Sequence, residues 1–169
     1  MQSIFRTFAL TIGLSLSLVS GAFAQGANVS LGLNSYDSSQ PVEITSEELA
    51  VDQQGGTATF TGNVIVGQGD MRMTTQLLIA EYGTSPETGS NEIRTIRMSG
   101  GVTFVSPQEA AEAENAVYTL ANDTLVMTGN VLVTQGVTAL SANKLTYNLK
   151  SGKGVMEGQV KTILQPGSN

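Results

Sequence analysis

The stretch Thr61-Gly62-Asn63-Val64-Ile65-Val66 returns almost unchanged as Thr128-Gly129-Asn130-Val131-Leu132-Val133. A weaker copy, Ser99-Gly100-Gly101-Val102-Thr103-Phe104, lies between them, and Glu157-Gly158-Gln159-Val160 echoes the pattern near the end. Gly100, Gly129 and Gly158 are 29 residues apart, as are Tyr118 and Tyr147. A fixed period of this kind marks stacked supersecondary units, each contacting mainly its neighbours. A unit of that length is too short for a propeller blade and suits a few short strands turning once around a roll. Each Thr-Gly-Asn-Val reads as a turn entering a strand. The interval from Gly62 to Gly100 is nine residues longer than the others, and the excess falls on Tyr82–Asn91, whose composition predicts an inserted surface loop.

Outward from these copies the texture is uniform. Short β-branched runs such as Leu145-Thr146-Tyr147 alternate with turn signals at Gln53-Gln54-Gly55-Gly56, Ala121-Asn122-Asp123 and Lys150-Ser151-Gly152-Lys153. Short strands at about 8–12-residue spacing point to an all-β sandwich, barrel or roll. One segment, Gln108–Asn115, has helical composition. In the repeat it aligns with Thr138–Lys144, so a strand is expected there instead.

Residues 1–24 read MQSIFRTFALTIGLSLSLVSGAFA, with Arg6 as the single charge and Ala22-Phe23-Ala24 fitting the small-residue cleavage rule. This is the pattern of a secretory signal peptide cleaved after Ala24. The apolar run is short for a membrane span, which needs about 20 such residues. Residues 25–40 are rich in Ser, Asn and Gly and read as a flexible leader. The strand-rich domain then covers 41–165, leaving a tail at 166–169. An exported chain is free to use disulfides, yet this one has no Cys, so burial and strand pairing must hold it together. Fourteen acidic residues against eight basic ones argue against nucleic acid, which needs a basic footprint.

Catalysis has little to work with. The chain has neither His nor Cys, which removes the usual general base, thiol nucleophile and metal-thiolate sites. No Gly-x-Ser-x-Gly elbow is present. Glu47, Glu48 and Asp52 cluster in sequence, but alternation puts Glu48 and Asp52 opposite Leu49 and Val51, as solvated strand charges. No enzymatic function, cofactor or metal is expected.

What the sequence supplies is apolar surface of one orientation. With Val64 and Val66 inward, the period of two and the repeat put Val102 and Phe104, and Val131 and Val133, on the same face. Phe60, Met71, Met73, Leu78, Met98, Met127, Leu140, Leu145, Tyr118 and Tyr147 are expected to join them. A dry packed core and an accessible interior both fit this list. Flexible Met suits a surface that accepts varied lipid chains, and an acidic protein is a poor partner for phosphates as the main handle.

Two runs carry a family resemblance: Gln40-Pro41-Val42-Glu43-Ile44-Thr45-Ser46-Glu47-Glu48-Leu49, then Thr59-Phe60-Thr61-Gly62-Asn63-Val64-Ile65-Val66-Gly67-Gln68-Gly69. With Met127-Thr128-Gly129-Asn130-Val131 and Lys144-Leu145-Thr146-Tyr147, they resemble the LptA (OstA) family of lipopolysaccharide transport proteins over about Gln40 to Leu164. The resemblance implies an open, twisted β-jellyroll of antiparallel strands, whose groove shelters the acyl chains of lipid A. It also implies a periplasmic location and head-to-tail stacking of the protein on itself. The bridge so formed would run between an LptC-like inner-membrane protein and an LptD-like outer-membrane protein. Carried over residue by residue, it adds Val42, Ile44 and Leu120 to the lipid-contact set and reinforces Phe104 and Tyr118. An LptC-like or LptD amino-terminal component of the same system is the related alternative, and a ligand-free β-repeat scaffold the unrelated one.

Overall fold

A computed structural model describes residues 27–29, 40–85, 89–107 and 109–164. The signal peptide, most of the leader and the tail proposed from sequence lie outside these residues. The described residues form eleven strands: β1 (Ala27–Val29), β2 (Glu43–Thr45), β3 (Glu48–Asp52), β4 (Thr57–Gln68), β5 (Met71–Thr84), β6 (Asn91–Val105), β7 (Glu109–Thr119), β8 (Thr124–Gln135), β9 (Thr138–Asn148), β10 (Lys153–Glu157) and β11 (Lys161–Leu164). Every pairing is antiparallel. A 3-10 turn at Leu120–Asn122 joins β7 to β8 and ends on Asp123 in the left-handed region.

The Gly-Asn pairs are not turns entering strands, as their composition suggests. Gly62-Asn63 lies inside β4, Gly100-Gly101 inside β6 and Gly129-Asn130 inside β8, all with positive φ. The ladder register shifts at each of them. An extra residue on one strand makes a β-bulge, which bends that strand and sharpens its twist. Each bulge therefore joins what reads as two short strands into one long, bent one.

The bulges line up across the sheet. Next to Gly62 lies Glu47, next to Gly100 lies Gln76, next to Gly129 lies Glu114, and next to Gly158 lies Asn143. Glu47 N–H donates to the Gly62 carbonyl at 3.1 Å and Asn143 N–H to the Gly158 carbonyl at 2.8 Å, the same bond at opposite ends of the sheet. Asn130 Nδ2 donates to Glu114 Oε1 at 2.6 Å, and Asn63 Nδ2 makes the equivalent bond to Glu47. A single line of bends thus crosses the whole sheet and divides it in two. On one side β3, the early part of β4, the later part of β5 and their successors run through to β10, with β1 beyond it. On the other side the sheet begins at β2 and ends at β11.

The inner faces of the two halves share one apolar cluster. It takes Val64, Val66, Met73, Val102 and Phe104 from one half and Leu78, Met98, Met127, Leu145 and Met156 from the other. The inward orientation expected for Val64, Val66, Val102, Phe104, Val131 and Val133 is observed, since all six are buried. Glu109–Thr119 forms a strand, so the repeat outweighs the helical composition of that segment. The expected Tyr82–Asn91 loop is shorter than its composition suggests. Tyr82, Gly83 and Thr84 pair with Ile93, Glu92 and Asn91, so the extra residues lengthen a hairpin before they loop. Within the leader, Ala27–Val29 pairs with β10, a strand that its composition did not announce.

Gly129 sits at φ +82°, and a Cβ built there falls 2.8 Å from the Cβ of Glu114. Gly136 also has positive φ but open space around it. Gly129→Val is expected to cost about 3 kcal/mol or more, from backbone strain and the lost close approach. Gly136→Asn is expected to cost well under about 1 kcal/mol, because Asn accepts left-handed geometry. Urea unfolding of both variants checks the contrast.

Candidate functional site: an apolar interior between two sheet halves

Pairing across the sheet aligns the interior into rows. One runs Leu49, Phe60, Leu78, Met98, Ala116, Met127, Leu145, Met156, and the next runs Val51, Ala58, Ala80, Ile96, Tyr118, Leu125, Tyr147. The facing half contributes Ile44, Val66, Met73, Phe104, Ala111, Val133 and Leu140. All five methionines after Met1 belong to these walls or to the cavity between them.

Between the halves lies a cavity of about 50 Å³ lined by Val42, Val66, Met71, Met73, Phe104, Ile96, Met98, Tyr118, Leu125 and Leu149. Gln68 is its polar member, and its Nε2 donates to the Gln40 carbonyl at 2.8 Å, which pins the entering chain at the cavity's edge. Typical ligand pockets enclose about 300–1,000 Å³, so the interior is nearly closed here. Beside β3 a second recess of about 500 Å³ is lined by Leu49, Val51, Phe60 and Tyr82, with Asp52 and Asn91 at its rim. Leu49 is 54% exposed and Val51 63% exposed, so the apolar wall continues to the sheet's edge uncovered.

The residues singled out by sequence fall into three settings. Val42, Val66, Met73, Phe104 and Tyr118 meet around the first cavity, and Phe60 lines the second. Val64, Val102, Val131, Val133, Leu145 and Tyr147 are sealed in the packed layer. Ile44 is half-buried against the cluster, and Leu120 sits half-buried in the 3-10 turn, apart from the cavity lining. Gln68, Ile96, Leu125 and Leu149 line the cavity without having been singled out. Ile96 and Leu125 flank Tyr118 in the ladder, a relation visible only once the register is known.

One acid is carried inside. Glu109 is 4% exposed, and its Oε1 accepts from Gln135 Nε2 at 2.7 Å. Burial, helped by the Glu109 charge, pushes the Tyr147 hydroxyl up from 10.0 to about 12. Among the described residues no group of three or more Cys, His, Asp or Glu is placed to hold a metal ion.

A bent antiparallel sheet folded over an apolar interior defines the class of open β-jellyrolls. The family described as LptA/(LptD N-terminal domain) LPS transport protein matches residues 43–153. The lipopolysaccharide export system protein LptA of Escherichia coli K12 is 31% identical over 147 residues, covering 83% of this chain and 77% of that protein. The protein of the same description from Haemophilus influenzae is 26% identical over 140 residues, covering 77% and 80%. LptH of Pseudomonas aeruginosa, described as the LptA-homologous periplasmic component of the lipopolysaccharide transport device, shares the fold. It superposes with a TM-score of 0.65 at 14% identity, covering 75% of this chain and 96% of that one. The chain belongs to the LptA family.

A raised hydroxyl pKa means the folded state holds its proton where the unfolded chain has lost it. Tyr147 therefore adds stability that is complete below pH 10 and is lost as the pH climbs toward about 12. Urea midpoints measured across that window should fall for the natural chain and fall less steeply for Tyr147→Phe.

Proposed function

We propose that the protein carries lipopolysaccharide through the periplasm, sheltering the acyl chains of lipid A between its two sheet halves. The observation that carries this reading is the unbroken apolar wall running from the cavity at Phe104 and Tyr118 to the uncovered Leu49 and Val51. Each buried methylene contributes about 0.8 kcal/mol, so a few acyl chains outweigh the repulsion between an acidic protein and lipid phosphates. The cavity is small, and chains enter as the halves part. Unbranched Met71, Met73 and Met98 can then refit around varied chains.

Edge strands β1, β2, β3 and β11 each pair on one side only among the described residues, and unpaired edges are templates for strand addition. A second copy added head to tail extends the groove, and a heterologous contact of this kind repeats without closing. The ends of such a stack would meet an LptC-like inner-membrane protein and an LptD-like outer-membrane protein. The closed cavity favours a second reading, a ligand-free scaffold that only bridges other proteins.

Lipid co-elution separates the two. Phe104 is 2% exposed, so Phe104→Glu tests folding more than the groove. Val42 is 51% exposed and Met71 half-buried, both at the cavity. Val42→Asp and Met71→Asp should remain folded by circular dichroism and retain at least about tenfold less lipopolysaccharide after affinity and size separation. No lipid above background with the natural chain leaves the scaffold reading.

A further inference from the structure

The interior is apolar except where it meets a boundary. Among the described residues the buried polar side chains are Gln68, Thr75 and Glu109. Thr75 belongs to the line of bends, where its hydroxyl donates to the Ser99 carbonyl at 2.8 Å. Gln68 and Glu109 lie instead on the free lip of one half, where β4 turns into β5 and β6 into β7. Ser106 N–H donates to the Glu109 carbonyl at 2.9 Å, and the lip continues across the ladder from Glu109 to Gln135 and Thr138.

The lip of the facing half carries two tyrosines, with Leu125 between them in the ladder. Tyr118 turns its hydroxyl to Asp123 Oδ1 at 3.3 Å, within its own half. Tyr147 is fully buried, and the charge of Glu109 acts on its hydroxyl from across the seam. The cavity lies between the two polar points. Met71, the ladder partner of Gln68, lines it on one side, and Phe104, paired with Ala111 two residues from Glu109, lines it on the other.

A carboxylate in an apolar interior is costly unless it is hydrogen-bonded, and an apolar side chain of similar volume usually packs there at less cost. Glu109 faces inward in step with Ala111 and Ala113, where the chain does use apolar residues. Packing alone therefore does not account for an acid at this position, whereas a polar tie to the opposite lip does. Gln135 steadies that acid at 2.7 Å.

We propose that Glu109, held by Gln135, clasps Tyr147 of the facing half and limits how far the two halves part when an acyl chain is seated in the cavity. Glu109 is thus a positioning residue for the lipid. The inference rests on the acyl-chain reading and adds what restrains the seam beside it.

Spin labels read the spacing of the lips directly. The chain has no Cys, so labels attach only at introduced Val137→Cys and Lys150→Cys. Both positions are exposed, just beyond the two ends of the bent β9, one on each lip. Double electron–electron resonance on the lipid-free natural chain should give one narrow distance. Glu109→Ala and Tyr147→Phe should lengthen and broaden it, and should release bound lipopolysaccharide at least about threefold faster. Tyr147→Phe keeps the buried ring and carries the test if Glu109→Ala does not fold. Val133→Ala, which thins the same interior and leaves the clasp, should keep the narrow distance. An unchanged distance in Tyr147→Phe overturns the clasp whatever the lipid does. An equal lengthening in Val133→Ala overturns it as well, because any loss of packing would then part the halves. A lengthened distance in a chain that never retains lipid keeps the clasp and overturns the carrier reading.

Discussion

The shape of this protein depends on a backbone constraint repeated across the sheet. At Gly62, Gly100, Gly129 and Gly158 the chain takes positive φ with a neighbouring side chain lying where a Cβ would stand. Each bulge alone would only kink one strand. Placed at one level on alternate strands, they make every long strand turn at the same line, and the sheet closes face to face over its own apolar side. The Asn63–Glu47 and Asn130–Glu114 bonds fasten the outer side of that line. The interior exists because the line exists.

The apolar layer follows from this geometry and carries a tension within it. A β-core with few aromatics and many Met and Ala residues packs without the rigid interlock of large rings. Its central layer is nevertheless fully sealed, with Leu78, Met127, Val131, Val133, Leu145, Tyr147 and Met156 at 0% exposure. At the β3 edge the wall is exposed, with Leu49 and Val51 open to the surface. A sealed middle and an open rim suit a protein whose interior is continued by something beyond its own edge.

Much of this was legible in the residues, and the part that was not has a definite cause. The repeat announced stacked β units, and it correctly overruled the helical composition of Glu109–Asn115. On the strands that carry Gly-Asn, alternation survives the bulge, so Val64 with Val66 and Val131 with Val133 read correctly. On the strands between, the phase slips. β5 is buried at Met73 and Thr75 and again at Leu78 and Ala80, and β7 at Ala111 and Ala113 and again at Ala116. Nothing within β5 or β7 marks the slip, because its cause lies in the glycines of neighbouring strands. The same blindness hid the bulges themselves, since Gly-Asn has the composition of a turn. The cavity lining was only partly legible for a related reason: Ile96 and Leu125 join it through cross-strand register.

The line of bends has a mechanical meaning. Six long strands, β4 through β9, pass through it without interruption. The angle between the halves therefore cannot change at one strand without loading the ladder bonds of the next. Any gaping of the structure is a collective rotation about a spine, like a book whose pages share one binding. A disturbance at either end is felt along the whole length, and the width of the interior becomes a property of the entire sheet.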